Sequence, residues 1–249
     1  MRTHAEIVTL ALLTAVILFL LRAREAGAET FLESQRHHAR FRTAEARRLE
    51  EVVSDFHAVG AAWPPRGLYL RAFKLEGVVE LWARAERGER FVPVRRFDIC
   101  MASGVLGPKR FSGDLQVPEG HYEIEAFNPT SRYHLALRVS YPNADDRRFA
   151  AANGLEPGGD IMIHGNCVTI GCLPLRDAPM EALYVAAVYA RSRGVGRLPV
   201  DLHPCRYADE TCRVALARHP EFADLWAGLS ATDARFEATG QPPGAPGRM

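Results

Sequence analysis

Ile161-Met162-Ile163-His164-Gly165-Asn166-Cys167-Val168-Thr169-Ile170-Gly171-Cys172 is the stretch from which the rest of this 249-residue chain is read. It begins as a short apolar strand that delivers a histidine. Eight positions later stands a cysteine with a glycine directly before it. A thiol attacks as its thiolate, and an imidazole is a common base for making one. A glycine beside the nucleophile lets the backbone turn sharply and brings amide N–H groups close to a reacting carbonyl. These residues describe acyl transfer by a cysteine, with Cys172 as nucleophile and His164 as base. Two plainer readings stand beside that one: a buried structural cysteine with a hydrogen-bonded histidine at a strand end, and a zinc site from His164, Cys167 and Cys172. The spacing H-x2-C-x4-C is not among the usual zinc patterns, so no metal or other cofactor is expected.

The composition is that of a globular chain long enough for one sizeable core, with 47% hydrophobic and 24% charged residues. A net charge of +1 argues against nucleic acid as the main partner, since binding a polyanion usually needs a basic face. Ile7 to Leu21 is apolar apart from Thr9 and Thr14, and Ala26-Gly27-Ala28 follows as an A-x-A site. Residues 1–28 therefore read as a signal peptide or, uncleaved, as a membrane anchor. The stretch is short of the roughly 20 residues of a bilayer span, which makes a cleaved signal peptide the first reading, while Arg22 and Arg24 after it keep the anchor as its competitor. On either reading the domain is exported, to the periplasm or cell envelope. Five cysteines in an oxidising compartment leave at least one thiol over. Cys205 and Cys212 are the expected bridge, and Cys100 with Cys167 a possible second.

Working outward, residues 29–65 read as a helical spacer. Thr30-Phe31-Leu32-Glu33 has capping-box spacing, and Leu49, Val52, Val53 and Phe56 form one apolar stripe. From Leu68 the period changes to two. Strands are expected over 68–73, 78–85, 91–99, 122–126, 133–141 and 161–163, with turns at Glu76-Gly77 and Arg87-Gly88. A helix capped by Asp177 should run to Arg193, Val200–Leu202 should close the sheet, and a last helix should carry Phe222, Leu225, Trp226 and Leu229. Residues 241–249 are Pro/Gly-rich and read as a disordered tail. The fold class is mainly β with flanking helices (α+β), a sandwich or barrel-like core.

The same run resembles the active-site signature of the YkuD-domain family, the L,D-transpeptidases of bacterial cell walls, in its YafK-like branch with the short form HGxCxSxGC. Leu106-Gly107-Pro108-Lys109 with Gly113-Asp114, Pro118-Glu119-Gly120-His121-Tyr122, and Tyr133-His134 with Tyr141-Pro142-Asn143 carry the resemblance further. It covers roughly Arg66 to Pro243, and implies a YkuD-type catalytic domain over 66–240. Ile170 stands where the commoner pattern has a second histidine, so no role is carried over to it.

The resemblance implies a thioester on Cys172 formed with peptidoglycan stem peptides, followed by transpeptidation or by hydrolysis. A hydrolase would release crosslinks or wall-attached protein such as a lipoprotein. The remaining alternative is a wall-binding module without turnover, which the presence of both His164 and Cys172 disfavours. The resemblance also assigns the Gly165 carbonyl to holding the imidazole tautomer. Backbone N–H groups from Thr169 to Cys172 would form the oxyanion hole, with Gly171 providing close approach. His134, Lys109 and Arg176 are the candidate substrate contacts.

Overall fold

The computed structural model describes residues 30–87 and 90–243. The signal or anchor segment, the turn at Gly88 and most of the 241–249 tail lie outside the described residues. At the centre is a mixed eight-stranded sheet in the order β3-β2-β1-β8-β4-β5-β6-β7, curled into a half-barrel. Its strands are β1 (Leu68–Phe73), β2 (Val78–Arg84), β3 (Phe91–Asp98), β4 (Gly120–Asn128), β5 (Ala136–Val139), β6 (Met162–His164), β7 (Leu173–Pro174) and β8 (Pro199–His203). Neighbouring strands are antiparallel except β1 with β8 and β6 with β7. β8 enters the sheet between β1 and β4, so the closing strand joins the two halves rather than capping an edge.

Period-two alternation explains the core. Leu68, Leu70, Ile124, Leu137, Val139, Ile163, Leu173, Val200 and Leu202 share one buried cluster with the helix α4 (Asp177–Ser192). That helix buries ten of its residues, including Met180, Leu183, Tyr184, Ala187 and Val188, and forms the apolar partner of the sheet. A C-terminal helix, α6 (Ala223–Thr239), puts Phe236 against Tyr69 and Trp82 in a smaller cluster. Two further helices, α3 (Ala144–Asn153) and α5 (Glu210–Leu216), have no counterpart in the apolar periodicity. The first was announced only by a capping box of Asn143 and Asp146.

The N-terminal segment packs on the rest of the fold through its apolar stripe. Thr30 caps α1 (Phe31–Arg36) by accepting from the Glu33 amide, the chain breaks at His37-His38, and α2 (Ala39–Ala58) follows. α2 lies on α4 and buries Phe41, Ala44, Val52 and Phe56 in the main core. Phe41 reaches Tyr184, and Phe56 meets Trp63, itself against Tyr189. Phe56→Ala should therefore cost about 3–5 kcal/mol of stability, as for other buried phenylalanines. Thermal denaturation checks it, since a detached spacer helix would leave the midpoint of the catalytic core where it was.

Candidate active site

β6 and β7 are the two shortest strands, and their parallel register builds the site. Ile163 pairs with Leu173, and both are core residues. Because side chains alternate along a strand, His164 then points to the face opposite Ile163, while Cys172 directly precedes β7. Cys172 is the free cysteine among the described residues. Its Sγ donates to the Asp160 carbonyl at 3.6 Å.

The loop between base and thiol is fastened at every few residues. Gly165 N–H donates to the Leu135 carbonyl, Asn166 N–H to Asp177 Oδ1 at 2.7 Å, and Leu175 N–H to the His164 carbonyl. Cys167 is bonded to Cys100, with Cα atoms 5.7 Å apart, which ties the loop to the end of β3. Cys205 and Cys212 are bonded as well, 5.6 Å apart. Asp177, expected as a helix cap, instead holds this loop through Asn166, and Arg176 takes the N-cap position. At Gly165 an added Cβ would lie 2.8 Å from both Asp177 Oδ1 and His134 Cβ, so only glycine fits. Gly171 has φ 136° and abuts the Gln116 carbonyl, a conformation and a contact that a side chain would spoil.

His164 is 1% exposed, and its Nδ1 donates to the Gly165 carbonyl at 2.5 Å. A carbonyl can only accept, so the proton sits on Nδ1 and Nε2 keeps its lone pair. Burial lowers the His164 pKa and the Gly165 carbonyl only partly offsets it, which leaves the ring neutral at pH 7. Burial raises the Cys172 thiol, against smaller opposing contributions from the Met162 amide and Lys109. The resting pair is thus a neutral imidazole and a neutral thiol rather than an ion pair.

Several expected contacts are placed differently. Thr169 Oγ1 accepts from the Gly171 and Cys172 amides, at 3.1 and 2.8 Å, and donates to the Cys172 carbonyl. Two of the N–H groups expected in the oxyanion hole are therefore engaged within the loop, and a substrate oxygen would have to displace the Thr169 hydroxyl to use them. Lys109 is buried and bound to Asp114 Oδ1 at 2.6 Å and to the Phe111 carbonyl, within the 106–117 connector. Arg176 is exposed. His134 is not on a strand: β5 begins at Ala136, and His134 sits in a turn at φ 69° with Nε2 3.1 Å from the buried Glu181 carboxylate.

That turn carries a residue whose role the sequence reading missed. The Tyr133 ring lies over His164, with centroids 4.9 Å apart. Arg40 on α2 holds the turn by donating to the Ser131 and His134 carbonyls, and Arg48 one helical stretch on binds Glu181 at 3.0 Å. The N-terminal helix thus braces the cover of the base. Arg40→Ala should lower turnover by up to about 10²-fold through misplacement of that cover. It should also move the acid limb of the pH–rate profile upward, because an uncovered imidazole loses the burial that depresses it. An unchanged pH profile would contradict this.

Beside Cys172 is an apolar cavity of ≈230 Å³, lined in part by Leu75, Ile99, Met101, Ala102, Val105 and Leu106. Leu75, Met101 and Val105 are 43%, 44% and 63% exposed, so the thiol opens onto an apolar rim.

No protein-family model matches the chain. It is 33% identical over 178 residues to "Putative L,D-transpeptidase YafK" of Escherichia coli K12, a match covering 71% of this chain and 69% of the relative. The Escherichia coli O157:H7 protein of the same name matches equally. Among solved structures, the helical cell shape determining protein Pgp2 of Campylobacter jejuni gives a TM-score of 0.44 at 20% identity, over 62% of this chain and 56% of that one. L,D-transpeptidase 1 of Mycobacterium tuberculosis gives 0.28 at 14% identity, over 55% and 61%. The Pgp2 match spans little more than half of that chain, and at these scores neither structural likeness carries an argument.

Proposed function

The chain belongs to the L,D-transpeptidase family in its YafK-like branch, and we propose that it is an exported cysteine acyl-transfer enzyme acting on peptidoglycan stem peptides. The observation that supports this most is a base of fixed tautomer, His164, at the end of β6, and a free thiol, Cys172, directly before β7, the parallel partner of β6. His164 Nε2 takes the proton of Cys172 as Sγ bonds to the carbonyl carbon of a stem-peptide residue. The C–N bond to the terminal residue then breaks, and His164 returns the proton to the leaving amine. The product is a thioester on Cys172. An incoming amine, deprotonated by His164, attacks the thioester, the C–S bond breaks, and the thiol is restored. The neutral resting pair means that the proton moves during attack, not before it.

Water in place of the amine gives hydrolysis. One observation favours that second reading: the exposed apolar rim formed by Leu75, Met101 and Val105 suits a leaving group that is a polypeptide, such as a wall-attached lipoprotein, better than a single amino acid. Mass spectrometry of stem tetrapeptides incubated with the enzyme, with and without an amine acceptor, separates the two. A crosslinked product establishes transpeptidation, and shortened peptide alone in both samples establishes hydrolysis. Intact substrate in every sample contradicts both.

A further inference from the structure

Lys74 is a buried cation beside the thiol, and the acyl-transfer steps make no use of it. It follows the last residue of β1, and its amide donates to the His203 carbonyl at 3.0 Å, at the end of the β1–β8 ladder. Its side chain is 9% exposed and lines the cavity that also holds Cys172, Leu106 and Val117. An ammonium carries three donors, and each needs an acceptor when water is excluded. Lys74 Nζ has all three: the Gly107 carbonyl at 2.7 Å, the Val117 carbonyl at 3.0 Å and Glu119 Oε1 at 2.9 Å. Gly107 and Val117 stand at the two ends of the 106–117 connector, so one ammonium fastens both ends to β1.

Glu119 completes the clamp. Its side chain is fully buried. Its Oε1 also accepts from the Gly107 amide at 2.9 Å, and its Oε2 accepts from Trp226 Nε1, on α6, at 2.6 Å. Burial lowers the Lys74 pKa and Glu119 is the main influence opposing it, so the buried ammonium depends on that carboxylate. The C-terminal helix backs the connector at a second point. A Cβ on Gly107 would lie 2.6 Å from the Phe222 ring, in the turn that leads into α6.

Between its ends the connector is folded on itself. Asp114 accepts from the Arg110, Phe111 and Gln116 amides as well as from Lys109 Nζ. A loop closed around its own carboxylate keeps its shape, so its place depends on how its ends are fastened. That place matters at the thiol. A Cβ on Gly171, the residue before Cys172, would lie 3.0 Å from the Gln116 carbonyl, while Leu106 and Val117 form part of the cavity wall. The clamp therefore sets the wall of the cavity and the backing of the thiol loop together.

We propose that Lys74 and Glu119 are positioning residues for acyl transfer, which dock the 106–117 connector between α6 and the thiol loop and so fix both the cavity beside Cys172 and the approach of Gly171. The proposal rests on the reading of Cys172 as the acylated residue. The test measures kcat, KM and the thermal midpoint on a stem tetrapeptide for the full chain carrying Lys74→Met, Glu119→Gln, or both. Each single substitution leaves a buried ion without its partner, so midpoint and kcat/KM should both fall. The double variant carries neither charge, and a buried ion pair can be replaced by neutral residues with little loss of stability. Its midpoint should return toward wild type while kcat/KM stays about 10²-fold down, because the connector is still unfastened. A raised KM should be part of that loss, since a smaller folded fraction lowers only the apparent kcat. Recovery of kcat/KM together with the midpoint, or a loss confined to kcat, would overturn the proposal. Where the double variant stays unstable, Trp226→Phe decides, because it keeps an aromatic ring and removes only the donor to Glu119. Its kcat/KM should fall about two- to tenfold, the worth of one hydrogen bond, and wild-type kinetics there would overturn the proposal. Failure of the Cys172 reading looks different: wild-type protein would then form no acyl adduct on Cys172, whichever way the Lys74 and Glu119 variants behave.

Discussion

Cys172→Ala should reduce turnover of stem tetrapeptides to background, a loss on the order of 10⁶-fold if the nucleophile acts as one unit with its base. Cys205→Ser should keep most of the activity, because Cys205 is fully buried in a bridge to Cys212 that takes no part in the loop around the thiol. The contrast separates loss of the reacting atom from loss of a structural sulfur. Peptide products counted by mass spectrometry check it, and residual turnover in the alanine variant equal to wild type would remove Cys172 from the mechanism.

His164→Ala should lower turnover by about 10²–10⁴-fold, the usual contribution of general acid–base assistance. Alkylation of Cys172 by iodoacetamide at neutral pH should change far less. In the wild-type protein the thiol is raised by burial and the imidazole is neutral, so the resting state holds little thiolate for His164 to stabilise. The sign of each shift sets the pH behaviour. A raised thiol pKa means that wild-type alkylation keeps climbing above the ordinary thiol range. A lowered imidazole pKa means that the base stays competent below pH 6.5, so turnover should hold into mildly acidic solution and fall only beneath that. A wild-type alkylation rate that is already maximal at pH 7 would indicate a preformed thiolate–imidazolium pair, contrary to the geometry.

Much of the fold was legible because strands and core follow period two. β1, β2, β3 and β8 fall within a residue or two of their expected places, since their apolar residues face a single packed layer. β7 was not legible. Two residues carry no periodicity, and Leu173-Pro174 is a strand only because β6 pairs with it. α3 was hidden by a sequence of small and charged residues that buries only Asp146 and Ala150. At the site, the sequence brings His164, Gly165 and Cys172 together by proximity. It could not show that Thr169 turns its hydroxyl onto the Gly171 and Cys172 amides, or that Lys109 is taken up by Asp114. The misplacement of His134 has a specific cause. Leu135, Leu137, Val139 and Tyr141 alternate as a strand should, but the Tyr133 amide donates to the Ser131 hydroxyl and starts a turn before the ladder begins. Arg40 and Arg48 act on the site from over 80 residues away in sequence, and no local pattern records such a contact.

Acid-quenched mass analysis of wild-type protein mixed with a stem tetrapeptide tests the acyl-transfer account most directly. The account predicts a mass gain equal to the peptide acyl group without its terminal residue, mapped by proteolysis to the peptide containing Cys172 and released by hydroxylamine as a thioester should be. An adduct on any other residue, or cleaved peptide with no adduct at any quench time and none in hydroxylamine-trapped samples, would contradict it.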